Sequence, residues 1–413
     1  MKTGTLGKLS RRRSSALLLL VILVVGCSPE PSGSPSAPPG SPPGPTATPV
    51  ASPVASPAAE PSLAPAAWTE AFSSELAILR DVVAGPPGLI AAGCRTDPSG
   101  TCLRGLLLTS SDGASWTEVD LEGAAGASVG RVSRVGDRLF ALGYRIDDQR
   151  GEIRTVGWTS LDGRSWSRIS SASFKNLFIN DVIDSPVGAL AIGVNAPYAG
   201  EGFGFVVWDV EPDGSFGEPR DVHPTGGPGY VAGAAWTGGR FLAWGDGAYE
   251  GDNVRSTILM ASPDGKAWRV LPKIPAFHGG SVVKLIAVGD RLVAVGYEGT
   301  FQPTSPRAWI SVDGATWEAA EVPPGAGAMD TVTVEGSQLV ARGTEPSATE
   351  IRPVSWSSSD GAVWTRLPAG EDTPDLSGFD GLTRAMVGAR ACVAGTFYGD
   401  PTSPAPRAVI YCR

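Results

Sequence analysis

Short apolar runs closed by glycine recur along the chain: Leu89-Ile90-Ala91-Ala92-Gly93, then Leu139-Phe140-Ala141-Leu142-Gly143. The pattern returns at 189–193, 241–245, 292–296, 339–343 and 391–395. The closing glycines stand 50, 50, 52, 51, 47 and 52 residues apart, which makes seven copies. Runs this short, bounded by Gly, Pro, Asp and Ser, read as strands and not as helices. Past the N-terminus no stretch carries the period of a long amphipathic helix, so the chain reads as all-β.

A second pattern, Ser-x-Asp-Gly-x-x-Trp, accompanies the first. It appears as Ser110-Ser111-Asp112-Gly113-Ala114-Ser115-Trp116 and Ser160-Leu161-Asp162-Gly163-Arg164-Ser165-Trp166, and again at 262–268, 311–317 and 358–364. A worn copy, Pro212-Asp213-Gly214-Ser215-Phe216, fills the third position. The aspartates are Asp112, Asp162, Asp213, Asp264, Asp313 and Asp360, six copies against seven of the glycine run. Asp-Gly suits a tight hairpin because it tolerates positive φ, the Ser and Asp oxygens accept nearby backbone N–H groups, and the Trp supplies apolar area.

A period near 50 residues with four strands per unit describes the blade of a β-propeller. In the fifth unit strand A is predicted at 282–288, strand B at 291–296, strand C at 308–312, and strand D from Trp317. The last unit ends before any strand D, while Trp68-Thr69-Glu70 ahead of the first resembles Trp116-Thr117-Glu118. Residues 67–73 are therefore expected to supply the missing strand, which closes the ring and removes an exposed sheet edge. An open solenoid leaves Trp68 without a role. The expected fold is a seven-bladed β-propeller over 67–413, closed by an N-terminal strand and preceded by a signal peptide and a disordered linker.

The Ser-x-Asp-Gly-x-x-Trp turns resemble the Asp-box, the bacterial neuraminidase repeat of sialidase-like and many non-enzymatic propellers. In that family Asp and Trp are five apart; here they are four apart in all five full copies. The resemblance implies that the six aspartates are folding elements away from any active site.

Residues 1–14 form a basic n-region with Arg11, Arg12 and Arg13, and Ala16 to Val25 form an apolar stretch too short to span a bilayer. Val24-Val25-Gly26-Cys27 resembles the bacterial lipobox, which implies a signal peptide over 1–26, cleavage before Cys27 and a lipid on its sulfur. An ordinary secretory signal with a chance cysteine is the alternative. Residues 28–66 hold 13 prolines and only two charges, Glu30 and Glu60, so 27–66 reads as an extended stalk reaching roughly 100 Å. The expected location is extracytoplasmic, lipid-anchored to a bacterial membrane.

Charge and cysteines refine this picture. The net charge is −9, and removing residues 1–26 with their five basic side chains takes it to −14, against nucleic-acid binding. Besides Cys27 there remain Cys94, Cys102, Cys392 and Cys412. In an exported protein these suggest two disulfides with three connectivities; the blade alignment favours Cys94–Cys102 and Cys392–Cys412. Zinc is the rival, but the spacings match no zinc motif and the only histidines are His223 and His278.

Candidate chemistry is sparse. Strand A of each blade should line the central channel, offering Arg80, Asp81, Arg131, Arg134, Asn180, Asp181, Lys284 and Arg384. Three arginines from different blades suit an anionic ligand. However, a sialidase-like hydrolase also needs a tyrosine nucleophile with a glutamate partner; no tyrosine is expected beside these arginines in a strand, and the Arg-Ile-Pro signature is absent. The B–C loops carry aromatics beside carboxylates: Arg145 to Asp148, Tyr198 with Glu201 and Phe203, Tyr249, Tyr297 with Glu298 and Phe301, and Phe397, Tyr398 and Asp400. Asp246, Glu250 and Asp252 offer oxygens for Ca²⁺ without an EF-hand spacing. The candidate ligand-binding residues are Arg80, Arg131, Lys284, Arg384 and Tyr249, with no catalytic residue, metal or cofactor assigned. The expectation is a monomeric, non-catalytic lipoprotein that binds or scaffolds a carbohydrate or protein; a sialidase-like hydrolase and a membrane-complex assembly factor are the alternatives.

Overall fold

The computed structural model describes residues 67–413 apart from 148–151, 170–173, 175–176, 196–203, 250, 300–302, 347–350, 375–377 and 399–404. Expectations for Cys27, the signal peptide, the linker, Asp148, Tyr198, Glu201, Phe203, Glu250, Phe301 and Asp400 lie outside the described residues. Seven four-stranded antiparallel sheets form the blades of a β-propeller. The inner A strands are Ala77–Gly85, Ala127–Val135, Leu177–Ile183, Tyr230–Thr237, Gly280–Val288, Ala328–Glu335 and Phe379–Val387.

The seventh blade takes its outer strand from Thr69–Glu75, two residues later than expected, paired antiparallel with Pro406–Cys412 so that Thr69 faces Cys412 and Glu75 faces Arg407. Trp68 pins the join: its Nε1 donates to the Gly370 carbonyl at 3.0 Å, and the Arg413 guanidinium lies 4.7 Å over its ring. Strand C of every other blade ends at the C–D turn, so the chain enters the ring on the face of the A–B and C–D turns. The B–C loops lie on the opposite face.

The core is divided among the blade interfaces, which explains the unbroken apolar runs. In the first blade Leu89 and Ala91 pack toward the seventh, while Ile90 and Ala92 pack toward the second. Both faces of the sheet are buried, so strand B shows no polar alternation.

The closing glycines have one cause. All seven A–B pairings contain a register shift at the same level, between Leu79 and Asp81 in the first blade and between Val129 and Arg131 in the second. The bulged backbone crosses the partner strand closely: a Cβ on Gly93, Gly143, Gly193, Gly245, Gly296 or Gly343 would meet a strand A carbonyl oxygen at 1.8–2.0 Å. Only glycine allows that approach.

The turns are self-contained hydrogen-bonded units. Ser110 Oγ accepts the Gly113 N–H at 2.8 Å, and Asp112 Oδ1 accepts the N–H groups of Ala114 and Ser115 at 2.8 and 3.1 Å. Trp116 Nε1 donates back to the Gly113 carbonyl at 3.2 Å. The scheme repeats around Asp162, Asp264 and Asp360, and around Asp313 without the Trp317 bond. Backbone N–H donors, Ser165 foremost, lower the Asp162 carboxyl to about 2; Thr316 leads a similar set that lowers Asp313 to about 2. Disulfides join Cys94 to Cys102 and Cys392 to Cys412, each bridging strands B and C of one blade.

Candidate functional site

The bulges set what the channel presents. A register shift re-aims the following side chain, and the residues just past it are Asp81, Arg131, Asp181, Gly233, Lys284, Thr331 and Thr383. Four blades thus place alternating charges at one level: Asp81, Arg131, Asp181, Lys284. The channel encloses a cavity of about 720 Å³ whose walls include Arg80, Arg131, Lys284 and Arg384.

These cations have partners close by. Arg131 Nη1 pairs with Asp181 at 3.3 Å, and Ser133 Oγ donates to the same carboxylate at 2.6 Å. Asp181 foremost raises the Arg131 pKa. Arg80 Nε donates to Ser128 Oγ at 3.2 Å. Asp81, only 8% exposed, accepts the Val132 N–H at 2.9 Å; burial raises its pKa, opposed first by Arg131. Burial lowers the Lys284 pKa, with Asp181 opposing most strongly. Lys284 makes no direct hydrogen bond among the described residues, so it is the ring cation held by field alone.

Arg384 belongs to a second network. Its Nη1 pairs with Asp372 and lies 2.9 Å from Glu335, while Arg342 holds Asp372 through Nε at 2.7 Å and Nη2 at 3.0 Å. Arg342 also bonds Glu335, and its Nη1 donates to Thr333 at 2.9 Å. Both members of the central pair are buried, Arg342 at 1% and Asp372 at 4% exposure. Burial pushes the Asp372 carboxyl up, but Arg342 first and Arg384 after it outweigh that and hold it below the usual carboxylate range. Sequence reading missed this network because Arg342 sits inside an apolar run, at the register occupied by Ala92, Leu142, Ile192, Trp244, Val295 and Ala394 elsewhere. The charged residue at an otherwise apolar position was the available signal.

Two tyrosines correct the expectation that none stands by these arginines. Tyr230, at the start of the fourth A strand, and Tyr297, near the end of the fifth B strand, line the same cavity on the B–C loop face. Burial raises the Tyr230 pKa. Beside them Asp246 Oδ2 accepts from Ser281 Oγ at 3.0 Å, and burial raises the Asp246 pKa. Its buried Oδ1 has no partner among the described residues. Asp252 instead pairs with Lys273 at 2.6 Å, and no carboxylate cluster suited to a metal occurs among the described residues. Tyr249 is not part of the channel wall; its hydroxyl donates to the Thr257 carbonyl at 3.5 Å, and the Lys273 ammonium lies 5.8 Å from its ring centre.

No family model and no curated protein matches the chain. Similar solved structures include the β-propeller domain of the Trilobed protease from Pyrococcus furiosus, at 12% identity over 82% of this chain and 94% of that one, with a TM-score of 0.48. The acylaminoacyl peptidase of Pyrococcus horikoshii is 11% identical over 81% of this chain, which spans about half (51%) of that protein, with a TM-score of 0.49. The phage phi92 endosialidase is 12% identical over 83% of this chain and 68% of that one, with a TM-score of 0.45.

Proposed function

We propose that the chain is a non-catalytic extracytoplasmic lipoprotein, anchored through Cys27, whose propeller binds or scaffolds a carbohydrate or protein at the channel mouth on the B–C loop face. The observation that carries this reading is the commitment of the channel arginines. Arg131 is engaged by Asp181, and Arg384 by Asp372 and Glu335. An arginine cluster poised for a substrate carboxylate needs free guanidinium groups in one place, and stripping the buried Arg384 of its carboxylates is costly.

Tyr230 and Tyr297 in the same cavity as Arg131 favour a second reading, a sialidase-like hydrolase. One experiment separates the two. Purified chain carrying Cys27→Ser is applied to a glycan array and to a fluorogenic sialoside. Retention on the array that is lost in Tyr230→Ala, without fluorophore release, is the expected result. Release that is abolished by Tyr230→Phe overturns the binding reading. Metabolic labelling with a radioactive fatty acid tests the anchor: label incorporated by the natural chain is absent from Cys27→Ser.

A further inference from the structure

The six turn copies act as an internal comparison, and one departs. In five blades a serine Oγ accepts the turn glycine N–H at 2.8–2.9 Å. In the third blade Glu211 stands at that place, and the Gly214 N–H goes to the Glu211 backbone carbonyl at 2.8 Å. The same hairpin is closed by the Glu211 N–H on the Ser215 carbonyl at 2.9 Å. The glutamate side chain is thereby released from the turn. It is exposed and makes no hydrogen bond or ion pair among the described residues.

At this point a cavity of about 510 Å³ opens on the turn face, between the second, third and fourth blades. Phe140, Leu190 and Phe241 form apolar wall, and the 58% exposed Val187 stands at its edge. The polar lining is unbalanced. Asp209 is already held by Arg220, at 2.5 and 2.9 Å. That sets four carboxylates against the cations Arg138 and Lys266: Asp184, which accepts the Gly136 N–H at 3.1 Å, Asp264, held by the N–H groups of its own turn, and Asp137 and Glu211.

We propose that this cavity receives the lysine or arginine side chain of an exposed, extended segment on a partner protein. The aliphatic stem of such a side chain matches the apolar wall, and its cationic head matches the surplus carboxylates at Glu211 and Asp137. The acidic charge of the whole chain draws the same partners over longer range. This site is separate from the channel and does not depend on the function proposed there.

The test uses the chain with Cys27→Ser and labelled pentapeptides, Gly-Ala-X-Ala-Gly with X lysine, arginine, norleucine or glutamate, titrated by fluorescence anisotropy. The lysine and arginine peptides bind, the norleucine and glutamate peptides do not, and Glu211→Gln or Asp137→Asn each weakens binding about ten-fold. Lys284→Met in the channel leaves it unchanged. Equal binding of the norleucine peptide overturns the proposal, as do unchanged affinities in both carboxylate variants. Spermidine binding in place of the peptides makes a free polyamine the occupant and overturns the protein partner. The peptide series reads the charge requirement without any variant, so a loss of folding cannot stand in for a loss of the site.

Discussion

Removing the Asp372 carboxylate should be among the most damaging single changes in the molecule. Asp372→Asn leaves Arg342, at 1% exposure, and Arg384 facing each other with Glu335 as their remaining carboxylate. A buried charge stripped of its partner costs about 3–5 kcal/mol, whereas a well-packed apolar replacement of the pair is close to neutral. Six blades carry an apolar residue at the register of Arg342, so Leu fits there. The expected loss for Asp372→Asn is about 3 kcal/mol, since Glu335 compensates in part, and Arg342→Leu in the same chain should restore at least about half of it. Urea unfolding followed by tryptophan fluorescence reads both, with the midpoint shifting at unchanged slope. A loss below about 1 kcal/mol in the single variant, or strictly additive losses in the double variant, refutes the reasoning.

Other predictions rest on the turns and the channel. Gly163→Ala should cost over about 2 kcal/mol, because φ is +69° and its Cβ would meet the Pro86 carbonyl oxygen at 1.9 Å. Gly126→Ala, with φ +68° and open space around it, should cost only about 1 kcal/mol, both variants being read by urea unfolding. The Asp162 and Asp313 carboxyls are lowered to about 2, so their stabilisation is complete above the ordinary carboxylate range and is lost as pH falls toward 2. The Asp162→Asn variant should therefore melt below the parent at pH 6 and approach it at pH 2. Asp181→Asn should lower the Lys284 pKa further in an NMR titration, because the Asp181 carboxylate is the charge that most opposes the effect of burial; a rise contradicts the ring geometry.

The repeat was legible because each blade buries both faces of its inner strands, so apolar runs and turn chemistry recur without the interruptions a solvated face would impose. Counting seven glycine runs against six turns located the closing strand to within two residues. Why glycine ends each run was not legible, since it depends on a strand A bulge crossing the neighbouring strand. The candidate site was only partly readable. Arg131 and Lys284 were placed in the channel by their position in strand A, but Tyr230 and Tyr297 reach it from strand ends. Asp372 comes from the connection between the sixth and seventh blades, and nothing local announces that it will meet Arg342. Tyr249 reads in the sequence as a loop aromatic beside carboxylates, and it lies outside the channel wall. Turn Glu211 shows the converse, a departure visible in the sequence whose consequence appears only beside the cavity.

Closure of the ring by the N-terminal strand underlies the whole architecture. It is tested most directly by a cross-link between Glu75→Cys and Arg407→Cys, which face each other across that pairing. Opposed strand residues lie within disulfide reach. Mild oxidation of the double variant, also carrying Cys27→Ser, should give an intramolecular bond in a monomer, seen by intact mass and by its faster migration on a non-reducing gel. Failure to form the bond, or formation only between two chains, would contradict a self-closed seven-bladed ring.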